Sequence, residues 1–260
     1  MKILVTNDDG ILAPGLWALV RELKNMAQVA VVAPDREQSA TGTSVTLRQP
    51  LRVQPVEPPV PGIEAYSVEG TPGDCVILAL EKLVSNIGMV ISGINNGLNL
   101  GEDVLISGTV GAALQGYLRG LPAIAMSVAE AKSPYVEDAA RLASLLARRI
   151  SANHLPTNVF LNVNYPTLPL SDIPGIRITR LASKSHIDTV DEGHDGKREY
   201  YWLIRKKKVA SSNGKTDIGA IEEGYVSISA LAVNFAGRLP PAILSTLCIG
   251  LLSSLKAPVE

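Results

Sequence analysis

Short, continuous apolar runs alternate with amphipathic stretches over most of this chain. Ile3-Leu4-Val5-Thr6, Val29 to Ala33, Met89 to Ser92, Ala123 to Val128 and Val159 to Val163 are such runs. Unbroken apolar strands belong to parallel sheets covered on both faces. Between them the period changes to helical. Leu16, Leu19, Val20 and Leu23 make one stripe over Pro14 to Lys24, and Val136, Ala139, Leu142, Ala143, Leu146 and Ile150 make another over Tyr135 to Ile150. A strand is predicted around Ala65 to Glu69. Thr71-Pro72-Gly73-Asp74 then opens a helix, with Thr71 as N-cap, Pro72 in the first helical position and Asp74 closing a capping box. Ser107-Gly108-Thr109 reads as a further helix start. Residues 50 to 63 carry Pro50, Pro55, Pro58, Pro59 and Pro61, which predicts a stiff excursion without regular structure.

The pattern changes after Leu170. Ile176 to Leu181 alternates as a half-exposed strand does, and Tyr225 to Leu231 is a core strand. Residues 183 to 217 are polar, hold His186 and His194, and contain a predicted hairpin arm at Glu199 to Lys208. Pro240 to Leu255 predicts a terminal helix. The expected organisation is an α/β core over residues 1–170, built from βαβ units. Residues 171–260 form a C-terminal segment that returns a core strand (225–231), projects an arm (183–217) and ends in a helix. Tyr200, Tyr201 and Trp202 give the arm a composition suited to a partner surface, so homo-oligomerisation through it is expected.

Composition narrows the function classes. The 260 residues are 46% hydrophobic and 19% charged, as in a globular protein. Lys and Arg total 24 against 25 Asp and Glu, so no net field favours nucleic acid or an anionic membrane. Cys75 and Cys248 match no CxxC pattern and read as reduced core thiols. Asp8 and Asp9 interrupt the first apolar run, unlike a signal peptide, and Ala242 to Leu252 is too short to span a bilayer. These features predict a soluble, cytoplasmic protein.

The candidate chemistry lies just past the predicted strands. Asn7-Asp8-Asp9-Gly10 follows the first, Ser39 the second, and Asn95-Asn96 the run at Met89. In a doubly wound sheet these ends converge at the ligand crevice. Two carboxylates, a hydroxyl and carboxamides form an all-oxygen set suited to Mg²⁺ or Mn²⁺. Taken singly, each has a simpler reading: Asp-Asp-Gly as a solvated turn, Asn95-Asn96-Gly97 as a turn, and Ser107 as a helix cap. Their joint placement favours a site. The start of the helix at Ser107, Gly108 and Thr109 offers hydroxyls and N–H groups at a positive dipole end, which favours a phosphate.

The same stretches resemble the SurE (stationary-phase survival protein E) family of metal-dependent nucleotidases. The resemblance is carried by Asn7-Asp8-Asp9-Gly10 with Pro14-Gly15, Ala33 to Ser39, Gly70 to Val76, Ser92 to Gly101, Ser107 to Ala113, Leu161 to Asn164, Thr216-Asp217 and Gly224 to Ile228. It implies a Rossmann-like three-layer core with a mostly parallel sheet, an extended C-terminal arm, and a homodimer or homotetramer. It implies one divalent metal ion per subunit, Mg²⁺ or Mn²⁺, on Asp8, Asp9, Ser39 and Asn95. Asn96, Ser107, Gly108 and Thr109 match the family's phosphate-binding positions. Ala40 and Ile106 depart from its pattern, standing where glycine and an aromatic residue are common.

The implied reaction is hydrolysis of nucleoside monophosphates, as by a 5′-nucleotidase, with 3′-nucleotides or short polyphosphate as further substrates. Asp8 and Asp9 are the candidate catalytic residues, and which of them moves a proton is left open. The competing reading is a nucleotide-binding regulator without turnover, or a phosphatase of another small monoester. Asp8 and Asp9 are adjacent, unlike the two spaced aspartates of haloacid-dehalogenase phosphatases. No G-x-G-x-x-G follows the first strand, which disfavours a dinucleotide enzyme.

Overall fold

The computed structural model describes residues 2–131, 134–152, 159–183, 186–207 and 214–233, with Ile243 and Ile249. In chain order the strands are β1 (Lys2–Thr6), β2 (Gln28–Pro34), β3 (Val53–Pro55), β4 (Glu64–Val68), β5 (Ile87–Asn96), β6 (Ala123–Val128), β7 (Phe160–Tyr165), β8 (Ile176–Thr179), β9 (His186–His194), β10 (Glu199–Lys207) and β11 (Val226–Ala230). The helices are α1 (Pro14–Leu23), α2 (Pro72–Leu78), α3 (Gly108–Tyr117), α4 (Tyr135–Ala152) and α5 (Asp217–Glu222).

Nine strands form one sheet in the order β3-β4-β2-β1-β5-β6-β7-β11-β8. From β4 across to β7 every neighbouring pair is parallel. The chain leaves β1 for β2 on one side and later returns to its other side as β5. That reversal opens a crevice at the carboxyl ends of β1 and β5.

Period-two alternation explains why both faces are apolar. Ile3 and Val5 of β1 face one core, with Leu16, Leu19 and Val20 of α1 and Val136, Ala139 and Ala143 of α4. Leu4 faces the other, with Cys75 and Val76 of α2 and Ala112 of α3. A third cluster joins Val110 and Ala113 of α3 to Ala123, Ala125 and Phe160. The capping box forms as expected: the Thr71 hydroxyl accepts from Asp74 N, and Asp74 Oδ2 accepts from Thr71 N.

The structure corrects several expectations. The proline-rich excursion contains β3, an edge strand antiparallel to β4, and edges tolerate Pro55. β5 runs on to Asn96, so Asn95 and Asn96 end a strand rather than form a separate turn. The register of β5 against β6 shifts between Ser92 and Asn95. Asp217, the last residue of the expected arm, lies in regular structure. It begins α5, which Thr216 caps by accepting from Gly219 N. The C-terminal part adds two strands to the sheet, β11 beside β7 and β8 at the edge, rather than one.

β9 and β10 pair with each other from Glu199↔His194 to Lys207↔His186, apart from the main sheet. Val190, Tyr200, Tyr201, Trp202 and Leu203 are exposed on this arm. The predicted terminal helix falls almost wholly outside the described residues, as do His154, Lys208 and Cys248. Cys75 is a buried free thiol. Among the described residues no helix is long and apolar enough to cross a membrane.

Candidate active site

At the end of β1 the chain turns sharply. Asn7 Nδ2 donates to Gly10 O at 2.9 Å, and Ala13 N donates to the same oxygen at 3.0 Å. Gly10 has φ +97°, and a Cβ there would stand 3.1 Å from the Arg36 carbonyl carbon. Only glycine fits both the conformation and the space. The turn buries Asp8 and leaves Asp9 half-buried.

Asp8 touches two other segments. Thr109 Oγ1 donates to its Oδ1 at 2.5 Å, and Gln38 N donates to its backbone oxygen at 2.7 Å. Gly108 lies so close that a Cβ would meet Asp8 Cβ at 2.8 Å and Oδ2 at 2.9 Å. The positive end of α3 therefore rests directly on the first carboxylate. Asp9 reaches the other way, with its Oδ2 accepting from Asn96 N at 3.1 Å.

The two asparagines are held differently. Asn95 Nδ2 donates to Gly97 O at 2.7 Å, which directs its carboxamide nitrogen along its own chain. Asn96 Oδ1 accepts from Ala131 N at 2.8 Å. Ser107 caps α3, its hydroxyl accepting from Val110 N at 3.1 Å, so the simple reading of this residue is correct as far as its hydroxyl is concerned. Ser39 is exposed and donates to Glu37 Oε1. Its loop is tied to Asp8 through Gln38 N, while its own hydroxyl bonds to neither Asp8 nor Asp9.

Burial pushes the Asp8 carboxyl up to about 6; the Thr109 hydroxyl and N–H pull it down, and the neighbouring Asp9 charge raises it. Burial also raises Asp9, against the Asn96 N–H, and Glu37 adds to the rise. Among the described residues no lysine or arginine pairs with either carboxylate. A buried carboxylate beside a half-buried one, with no protein cation paired to either among the described residues, is electrostatically suited to an external cation. No three His, Cys, Asp or Glu side chains cluster as a metal group among the described residues. A cation here would be held by the Asp8 and Asp9 carboxylates with neutral oxygens, among which the Thr109 hydroxyl already touches Asp8. The donor chemistry fits a hard divalent ion.

Sequence reasoning passed over a buried polar layer that supports this site. Asn99 N donates to Asn164 Oδ1, and Asn99 Nδ2 donates to Ser127 Oγ. Asn162 and Asn164 both donate to Asn99 O. Asp217 accepts from Gly101 N. The available signal was Asn162 and Asn164 alternating with apolar residues, which puts two carboxamides on one buried face of a strand.

With this geometry in place, comparison with known proteins gives a consistent result. Residues 3–188 match the family model described as survival protein SurE. The 5′-nucleotidase SurE of Dehalococcoides mccartyi is 56% identical over 260 residues, covering 99% of this chain and 98% of the relative. The 5′-nucleotidase SurE of Legionella pneumophila is 47% identical over 233 residues, covering 89% and 90%. The crystal structure of the SurE protein from Aquifex aeolicus superposes with a TM-score of 0.80 at 32% identity, covering 97% of this chain and all of that one. The chain belongs to the SurE family.

Proposed function

We propose that this protein is a metal-dependent phosphohydrolase that releases phosphate from nucleoside 5′-monophosphates. The observation that carries the reading is the double tether of the acidic turn. Asp8 is bonded to the first turn of α3, and Asp9 to the end of β5. Carboxylates for a cation and a helix N-terminus for a phosphate thus share one crevice. The names of the relatives, 5′-nucleotidase SurE, support the substrate class.

Asp8, Asp9, Ser39 and Asn95 would hold the cation. When bound, it supplies neutralising charge to the phosphate and an acidified water. The Gly108–Thr109 turn and Asn96 hold phosphate oxygens and offset the charge that develops on them. The water oxygen bonds to phosphorus, the ester P–O bond breaks, and the leaving nucleoside oxygen takes up a proton from solvent. Asp9, half-buried and bonded through only one oxygen to Asn96 N, is the carboxylate placed to receive the proton of the water. Asp8 is fixed by Thr109 and serves as anchor.

The test is phosphate release across nucleoside 5′- and 3′-monophosphates and short polyphosphate, with Mn²⁺, with Mg²⁺ and with chelator. Release from 5′-monophosphates that chelator stops, and that Asp9→Asn abolishes, is the expected result. Tight nucleotide binding without release under any metal would establish a regulator instead, and preference for a non-nucleotide monoester would reassign the substrate.

The arm belongs to the same reading. Its exposed Trp202, Leu203 and Tyr201 have no cover from the described body of the chain, and a second copy is the partner proposed for them. Light scattering of the intact chain should give a dimer or tetramer, and a monomer would refute the assignment. The buried free thiol of Cys75 suits a reducing cytoplasm.

A further inference from the structure

The phosphate-binding turn is separated from Asn96 by a connection that could move if it were held only at its ends. It is held in the middle, at two adjacent points. Asn99 is fixed by Asn162, Asn164 and Ser127. Gly101 is fixed by Asp217, whose Oδ2 accepts its N–H at 2.7 Å. Gly101 begins a short 3-10 turn, Gly101–Leu105, and the Asp103 carbonyl of that turn accepts from Ser107 N at 3.0 Å. Two hydrogen bonds, joined by the backbone from Gly101 to Asp103, therefore link the Asp217 carboxylate to the cap of α3.

Asp217 does more than close this link. It is fully buried, and its other oxygen accepts from Ile218 N and from Ala182 N, both at 2.9 Å. Ala182 lies at the root of the arm. Arg180 N donates to Lys215 O, and Asp217 N donates to Arg180 O, so the backbone and the carboxylate of Asp217 together pin the two ends of the arm. One side chain thus binds the root of the arm and the connection that carries the phosphate turn. A carboxylate accepts from three N–H groups at once, which a carboxamide of the same shape cannot do.

We infer that Asp217 is a positioning residue that couples the root of the arm to the phosphate turn, so that phosphate affinity depends on the state of the arm. This rests on the phosphate turn proposed above. The coupling requires no contact between the arm and the substrate. It needs only that displacement at Ala182 changes the acceptor geometry available to Gly101. Asp217 acts on the turn and not on the cation, because Asn95 and Asn96 lie on the far side of the Asn99 anchor.

The probe is inorganic phosphate, read as competitive inhibition of nucleotide hydrolysis and as direct binding by calorimetry in saturating Mn²⁺. In Asp217→Asn the inhibition constant for phosphate and the KM should both rise by about tenfold, within the usual range for coupled sites. The Mn²⁺ affinity should stay at its wild-type value. Ala182→Pro removes one donor to Asp217 and touches no site residue. It should shift phosphate binding in the same direction, and the double variant should be no worse than Asp217→Asn alone. Wild-type phosphate affinity in Ala182→Pro overturns the proposal, as does an Asp217→Asn variant that loses only thermal stability. If Asp217→Asn does not fold, Ala182→Pro decides alone. A wild-type protein that binds phosphate yet hydrolyses no nucleotide would refute the proposed function, and calorimetry would still read the coupling.

Discussion

The hydroxyl of Thr109 donates to the carboxylate of Asp8 across 101 residues of sequence, inside the buried crevice between β1 and α3. That bond joins the acidic turn to the first turn of α3, and Thr109→Val removes it without changing side-chain shape. Asp8 would keep its burial and lose a donor, a loss worth about 1–3 kcal/mol of stability. Loss of a residue that orients a metal ligand lowers metal affinity or activity about 10- to 100-fold. Thr109→Ser should recover most of both. Equal phosphatase activity in Thr109→Val and wild type would show that the bond is structural only.

Gly108 is required for a different reason, the space it leaves. An alanine there would press its Cβ against Asp8 Cβ at 2.8 Å and Thr41 Oγ1 at 3.1 Å. Helix and carboxylate must then separate, at a cost of about 1–3 kcal/mol, with loss of activity in the folded fraction. Gly120→Ala is the matched comparison. Gly120 has φ +77° and no atom within 4 Å of a would-be Cβ. It should lose about 1 kcal/mol from backbone strain and keep full specific activity. Denaturant melts and phosphate release on both variants separate the two effects.

Much of this was readable from residue pattern because the strands are short, apolar and buried on both faces. Ile3 to Thr6 and Ala123 to Val128 admit no other arrangement once helices alternate with them. The acid turn was legible because Gly10 and Asn7 mark it. What pattern could not supply was the third dimension of the polar residues. Asp217, placed by the sequence only at the end of the arm, is the fully buried acceptor for Gly101 and Ala182, and only the folded path of the chain brings those segments together. Ser39 was placed correctly in the chain's order, yet its hydroxyl engages Glu37 two residues away. Local hydrogen bonds of serine compete with long-range ones, and sequence does not rank them. Ala40 has φ +57°, a conformation that glycine adopts with the least strain and that the sequence does not announce.

In chelator the protein should lose stability as pH rises from 4 to 7. The Asp8 carboxyl is pushed up to about 6 in the fold from an ordinary value of 3.8. Between those values the folded state binds the proton and the unfolded state does not, so stability is greater at the acid end and falls as pH rises through about 6. The span corresponds to an order of 3 kcal/mol, and Asp9, also raised, adds in the same direction. Asp8→Asn should flatten this part of the profile. Urea melts at pH 4, 5, 6 and 7 provide the comparison, and parallel profiles for the two proteins would refute the assignment.

Divalent metal should reverse that penalty, because the charge that burial disfavours is the charge a cation needs. Saturating Mn²⁺ at about 100 times its Kd stabilises the folded state by about 2.7 kcal/mol. For a chain of this size that raises the Tm by about 5–10 °C. Binding should also displace the proton from Asp8. At pH 5.5, below the value of about 6, a substantial fraction of that carboxyl is protonated, and Mn²⁺ must release it; at pH 7.5 little remains to release. Calorimetry in two buffers of different ionisation enthalpy counts those protons. Asp9→Asn should lose the Tm shift, while Thr109→Val should weaken Mn²⁺ binding and release more protons, since Asp8 without its donor holds its proton more tightly. A Tm shift with no proton release at pH 5.5 would place the ion somewhere other than on Asp8.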